Sequence, residues 1–197
     1  MPEKVEIIAR EEVFNKAIFR IEEAKLRHEK YDGTMSEEIS RLNLDRGDSV
    51  AAVVHIEETD EIVLIEQFRF STYDRGPGWL RELPAGMIRD GERPEDSMRR
   101  ELVEETGYTV ITLRPISTFY VSPGGTSEQI HLFYARIHEG LKAGEGGGVE
   151  EEAEDIRTVL TPISTIETLL AMGHFSDAKT IIGLQWLLIN RDQLAAY

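Results

Sequence analysis

Cysteine is absent from this chain of 197 residues. That excludes disulfides, thiolate metal sites and a cysteine nucleophile, and it fits a reducing compartment. Basic residues are scarce, with 22 Lys and Arg against 37 Asp and Glu and a formal net charge of −15. Such a surface repels nucleic-acid backbones, and no basic stripe interrupts it, so nucleic acid is not an expected partner. The same charge repels a free diphosphate. Any phosphate ligand would therefore need bound divalent cations and a few placed arginines. Long apolar runs are also missing. IIGLQWLLI at 181–189 is too short and interrupted to span a bilayer, and MPEKVEIIAR lacks the apolar run of a signal peptide. The expectation is a cytoplasmic protein that does not enter a membrane. There is no internal repeat, and the five histidines fall at no metal-binding spacing.

What the chain does have is concentrated in residues 86–108, GMIRDGERPEDSMRRELVEETGY. Pro94 suits the first position of a helix, where no hydrogen bond is lost. Glu95 and Asp96 follow in the first turn, where carboxylates favour the helix dipole. Gly107 suits a left-handed C-terminal cap. A helix is therefore predicted over about 94–106. At roughly 100° per residue, Glu101, Glu104 and Glu105 share one arc. Met98 and Leu102 flank that arc, so the carboxylates face the protein body. Glu101 and Glu105 meet at i and i+4. Crowded carboxylates in a partly dry site repel one another unless a cation neutralises them. Hard oxygen donors of this charge suit Mg²⁺ or Mn²⁺. Arg100, four residues before Glu104, can orient that glutamate.

Around this segment the pattern mixes strands and helices without regular alternation, which reads as α+β. Val5–Ile8 and Ala17–His28 look extended, and Asp32-Gly33 is a turn signal. Strands are predicted at Val50–Ile56, Ile62–Phe70, Arg114–Val121, Ile130–Ile137 and Ile156–Leu160. GEGGGVEEEAED at 144–155 reads as a loop, followed by helices at about 164–172 and about Ser176 to Leu194. Residues 1–48 form an N-terminal strand block and 49–197 the main domain. The block is too short to bury a core alone, which suits a docked or exchanged role.

The spacing within 86–108 resembles the Nudix hydrolase signature, G-x5-E-x7-R-E-U-x-E-E-x-G-U with U apolar, at every fixed position. The resemblance implies an α/β/α sandwich and a metal-dependent hydrolase that cuts a diphosphate bonded to a nucleoside. It extends to VEIIARE (5–11), DRGDSVAAVV (45–54), VLIEQFRFSTYD (63–74), ELPAGMI (82–88), SPGGTSE (122–128), EDIR (154–157) and GLQWL (183–187). These segments look like the bacterial ADP-ribose pyrophosphatases, which form AMP and ribose 5-phosphate. That branch implies a homodimer with exchanged N-terminal strands and a nucleotide-sugar substrate.

Matched position by position, the resemblance implies metal ligation by the Ala85 carbonyl, Glu101, Glu105 and Glu154. Glu104 falls within reach of that site, and Glu152 matches a general base, with Glu150 and Glu151 as rivals in the same loop. Arg69 and Arg41 match arginines that hold the phosphate and base regions, and Phe19 falls near an aromatic position that packs on adenine. Met87 matches a cleft-lining position, and Ser122 and Glu128 match contacts around the terminal ribose. Glycines 144 and 146–148 would let the Glu152 loop close over substrate. The run AGEGGGVEEEAE also resembles GDP-mannose-cleaving Nudix enzymes, which share SPGG. A non-catalytic nucleotide-sugar sensor is the reading from another class, but all box glutamates are present and no residues remain for a DNA-binding domain.

Overall fold

The central strand follows directly from its sequence. SVAAVVHI is apolar almost throughout, the pattern of a strand covered on both faces. In the computed structural model, which describes residues 2–149 and 153–196, all eight residues of Ser49–Ile56 are buried. Three strands precede it: β1 (Val5–Lys16), β2 (Phe19–His28) and β3 (Ile39–Asp45). The central strand is β4. It is followed by β5 (Glu61–Phe68), β6 (Trp79–Glu82), β7 (Ala85–Met87), β8 (Thr112–Tyr120), β9 (Gln129–Ile137) and β10 (Ile156–Pro162). The helices are α1 (Phe70–Tyr73), α2 (Pro94–Glu101), α3 (Ile163–Ala171) and α4 (Ala178–Asn190).

The chain divides into two compact units. The larger comprises Ser49–Phe119 and the segment from Ile130 onward. Its sheet runs β10-β5-β4-β9-β8, with β6 on β5 and β7 on β4. Alternation along β4 sorts its side chains onto two faces. Ala51 and Val53 pack with Leu132, Tyr134, Ile163, Ile166, Leu184 and Leu187, so α3 and α4 cover that face. Val50, Ala52 and Val54 pack with Met98, Leu102, Phe133 and Ala135, so α2 covers the other. This is the α/β/α sandwich. Truncating Leu102, which is fully buried, to alanine would cost about 2–5 kcal/mol through the cavity left beneath α2.

Strand β4 changes partner along its length. Val54–Ile56 pair with Ile62 and its neighbours on β5, whereas Ser49–Ala51 pair with Ala85–Met87 on β7. The Pro84 carbonyl accepts the Ala52 N–H at 3.0 Å where the two partners meet. Neither β6 nor β7 was predicted, because WLRE and AGM are too short to show a period. The strand expected over Ile62–Phe70 ends at Phe68, and Phe70 begins α1.

The smaller unit comprises the strands up to Asp48 together with Tyr120–Gln129, a segment that the sequence reading placed in the main domain. It is the antiparallel sheet β1-β2-β3. Ala17, expected within a strand, instead forms the β1–β2 turn at φ +55°. Segment 120–129 attaches by Leu44 N–H to the Gly125 carbonyl and Ser127 N–H to the Leu44 carbonyl. Every residue of β1 is exposed, including Val5, Ile7, Ile8, Val13 and Phe14. Among the described residues, no helix is long and apolar enough to cross a membrane.

Candidate active site

The acidic segment begins as predicted and ends differently. Pro94 starts α2, with Glu95 and Asp96 in its first turn. From Leu102 to Thr106 the backbone widens into a π-helical turn, closed by Gly107 at φ +75°. The Thr106 hydroxyl donates to the Leu102 carbonyl. Single π turns inside helices often occur at functional sites. Here the widened turn leaves the Glu104 and Glu105 carbonyls to accept bonds from another segment. Gly148 N–H donates to Glu104 at 3.0 Å, and Gly147 N–H to Glu105 at 2.9 Å.

Those bonds revise the reading of the glycine loop. Ala143 and Gly144 also donate to the Gly107 carbonyl. A side chain at Gly107 would overlap the Gly144 carbonyl, and one at Gly146 would approach the Glu105 carbonyl to 2.6 Å. Gly107 and Gly146 serve close backbone contact, and the backbone bonds fasten residues 143–148 to the end of the helix. The proposed base Glu152 and its rivals Glu150 and Glu151 lie outside the described residues.

Arg100 is the hub of the cluster. Its Nε donates to Glu92 Oε1 at 3.1 Å. Its Nη2 reaches Glu92 Oε2 and the Met87 carbonyl, each at 3.1 Å. Its Nη1 reaches Glu101 at 2.7 Å and Glu104 at 2.9 Å. A planar fork can serve several acceptors at once, where lysine would offer one point charge. The Arg100 hydrogen bonds, followed by the Ser97 hydroxyl, hold the Glu92 carboxyl down at about 2. The orienting role expected of Arg100 towards Glu104 therefore extends to Glu92 and Glu101.

Glu105 is nearly fully buried. It accepts the Ala85 N–H at 3.0 Å. Burial drives its carboxyl well above the usual range; the Ala85 hydrogen bond opposes this, and the charges of Glu101 and Glu154 add to it. Glu101 is raised chiefly by burial, against the pull of Arg100, with Glu104 and Glu154 adding repulsion. Glu154 accepts the Val149 N–H at 3.0 Å. Hard oxygen donors that destabilise one another's ionised forms fit a divalent cation. Among the described residues, no three acidic or histidine side chains already converge as a metal cage. Arg100 meets Glu101 instead, the Ala85 amide meets Glu105 and the Val149 amide meets Glu154.

Ala85 and Glu105 are thus joined directly, while Met87, Glu101 and Glu104 meet at Arg100. Arg69, between β5 and α1, donates from Nε to Glu82 at 2.8 Å, and its charge lowers the Glu105 carboxyl. The other expected substrate contacts belong to the smaller unit. Phe19 opens β2 and is exposed. Arg41 on β3 donates to the Ser40 carbonyl. The Ser122 carbonyl accepts the Gly125 and Thr126 N–H groups, and Glu128 is buried beside Arg46 at 3.7 Å. Sequence reasoning gave no role to Glu82, or to Lys179, whose ammonium lies 2.8 Å from it. ELPAGMI drew attention to the segment, but no local signal links it to a lysine 97 residues away.

The NUDIX domain family model matches residues 45–182. The chain is 36% identical over 191 residues to the ADP-ribose pyrophosphatase of Escherichia coli strain K12, covering 96% of this chain and 90% of that protein. It is 41% identical over 145 residues to the GDP-mannose pyrophosphatase of Cronobacter sakazakii, covering 73% and 74%. A solved structure described as an ADP compounds hydrolase superposes with a TM-score of 0.71 at 22% identity, over 94% of this chain and 95% of that one. The matched span contains the whole box from Gly86 to Tyr108 and the glycine loop docked on it. The chain belongs to the NUDIX domain family.

Proposed function

We propose that this enzyme hydrolyses the diphosphate of ADP-ribose to AMP and ribose 5-phosphate. The observation that carries the chemistry is the burial of Glu105 against the Ala85 amide, with Glu101 and Glu154 close enough to repel it. The similarity to an ADP-ribose pyrophosphatase over nearly the whole chain favours that substrate. Glu101, Glu105, Glu154 and the Ala85 carbonyl would hold Mg²⁺, with Mn²⁺ as a substitute. Bound there, a divalent ion supplies diphosphate charge neutralisation and activation of water.

The chain's own residues supply position. Arg100 holds Glu101 and Glu104 in one orientation through its fork. Arg69 grips a substrate phosphate, and Met87 lines the cleft. Arg41, Phe19, Ser122 and Glu128 contact the base and terminal ribose. Glu152 takes the proton from the attacking water. General-base removal lowers rates by about 10² to 10⁴-fold, so Glu152→Gln is expected in that range with affinity kept.

A homodimer is part of this proposal. A β1 strand exposed along all of its length, with apolar side chains, is the kind of edge that a second copy covers. GDP-mannose is the second reading, favoured by the 41% identity over 145 residues. The deciding test of the chemistry is Glu105→Gln assayed for AMP release from ADP-ribose in Mg²⁺. The variant is expected to fold and to lose most turnover; near-normal turnover would remove the box from the reaction.

A further inference from the structure

Among the described residues, Glu82 is the buried acidic residue of the larger unit that the proposed chemistry leaves unused. Its carboxylate is 5% exposed, and each oxygen meets a different cation. Oε2 accepts from Arg69 Nε at 2.8 Å, and Oε1 accepts from Lys179 Nζ at 2.8 Å. Lys179, itself 14% exposed, also lies 3.0 Å from Asp177 Oδ1. Charges therefore alternate along one path: Asp177, Lys179, Glu82, Arg69.

The first turn of α4 holds this path from two directions. Asp177 caps the helix, accepting the Thr180 N–H at 2.9 Å and the Thr180 hydroxyl at 2.6 Å. The Thr180 oxygen accepts the Leu83 N–H at 2.9 Å. One helical turn thus fixes both the Glu82 side chain and the backbone next to it. Leu83 leads through Pro84 to Ala85, whose N–H holds Glu105. Among the described residues, Arg69 makes its only side-chain hydrogen bond through Nε. Its two terminal nitrogens remain available to a ligand.

We infer that Lys179 is a positioning residue for Arg69, acting through Glu82. This rests on the reading that Arg69 grips the substrate diphosphate. Lys179 supplies one of the two positive charges that meet this buried carboxylate, which must be paired to stay ionised. With Lys179 present, Glu82 needs only the Nε edge of Arg69, and the guanidinium keeps its terminal fork for phosphate. Without Lys179, Arg69 is the sole counter-charge and is drawn onto Glu82. The loss would then fall on substrate capture, and it would depend on Arg69 being there.

A double-mutant cycle in kcat/KM for ADP-ribose tests this, with Tm measured alongside. Lys179→Met is expected to lower kcat/KM by about tenfold or more, mainly through KM, as loss of an orienting partner does. In an Arg69→Ala background the same change is expected to alter kcat/KM by less than about twofold, because coupled groups are not additive. Lys179→Arg is expected to restore most of the loss. Equal losses in both backgrounds would show a purely structural role and overturn the inference, as would normal kcat/KM in Lys179→Met. Glu82→Gln, which keeps the side-chain shape, runs the same cycle if Lys179→Met does not fold, and additive losses there overturn it equally. Unchanged kcat/KM in Arg69→Ala alone would instead remove Arg69 from phosphate binding, a separate failure.

Discussion

Gly86→Ala should separate activity from stability, because the one methyl group it adds would overlap the Glu101 carboxylate. The Gly86 backbone is not in the left-handed region, so alanine is sterically allowed there. What must move is the far end of a side chain rather than backbone. Glu101 is only 13% exposed and bonded to Arg100 at 2.7 Å, so it cannot simply swing into water without breaking that bond. Gly→Ala at a compatible position stabilises by about 0.4–1 kcal/mol through the unfolded chain. Losing one hydrogen bond to a charged partner costs about 1.5–3 kcal/mol. The net is a loss of roughly 1–2 kcal/mol, or a Tm drop of about 2–8 °C at this chain length. Activity should fall much further, since misplacing a reacting-centre group by about 1 Å can cost 10²-fold. The assay is AMP release from ADP-ribose at saturating Mg²⁺, with Tm by scanning calorimetry. Turnover within about twofold of the parent enzyme would refute the placement of Glu101 at the reacting centre.

Gly107→Ala should do the reverse of a clean active-site change. It forces a Cβ into left-handed backbone at a cost of about 1–2 kcal/mol and against the Gly144 carbonyl, so a Tm fall of at least about 4 °C is expected by calorimetry. Arg100→Lys should lower turnover by about tenfold or more, because one ammonium cannot serve Glu92, Glu101 and Glu104 together; steady-state kinetics checks it. His55, which bonds Tyr134 at 2.7 Å, is held below its ordinary 6.5 by burial, against the opposing charge of Asp60. Below 6.5 the unfolded chain binds that proton before the folded one does. This contribution is therefore complete above 6.5 and is lost as pH falls towards the folded value. Urea melts between about pH 7.5 and about pH 5.5 should show a steeper loss for the parent than for His55→Gln.

The box and the central strand were readable because their signals are local. SVAAVVHI announces a doubly covered strand, and Pro94 with Gly107 brackets the helix. The fork at β4 was not readable, since β6 and β7 are short strands fixed only by their partners. Thr106 gave no sign that its hydroxyl would bond Leu102 and the last turn widen. Glycines 144 and 146–148 looked like sources of freedom, yet three of the four residues adopt positive φ and the segment docks on carbonyls that the π turn releases. The link from Lys179 to Glu82 joins residues 97 positions apart and has no local pattern at all. Buried charge pairs of high sequence separation are set by packing, which single-sequence periodicity does not encode.

The most direct test is a comparison of kcat/KM for ADP-ribose and GDP-mannose in Mg²⁺, with products resolved by chromatography. ADP-ribose should be the better substrate and should yield AMP and ribose 5-phosphate in equal amounts, with no turnover in chelator. A higher kcat/KM for GDP-mannose would contradict the substrate assignment, and undiminished turnover in chelator would contradict the carboxylate site itself.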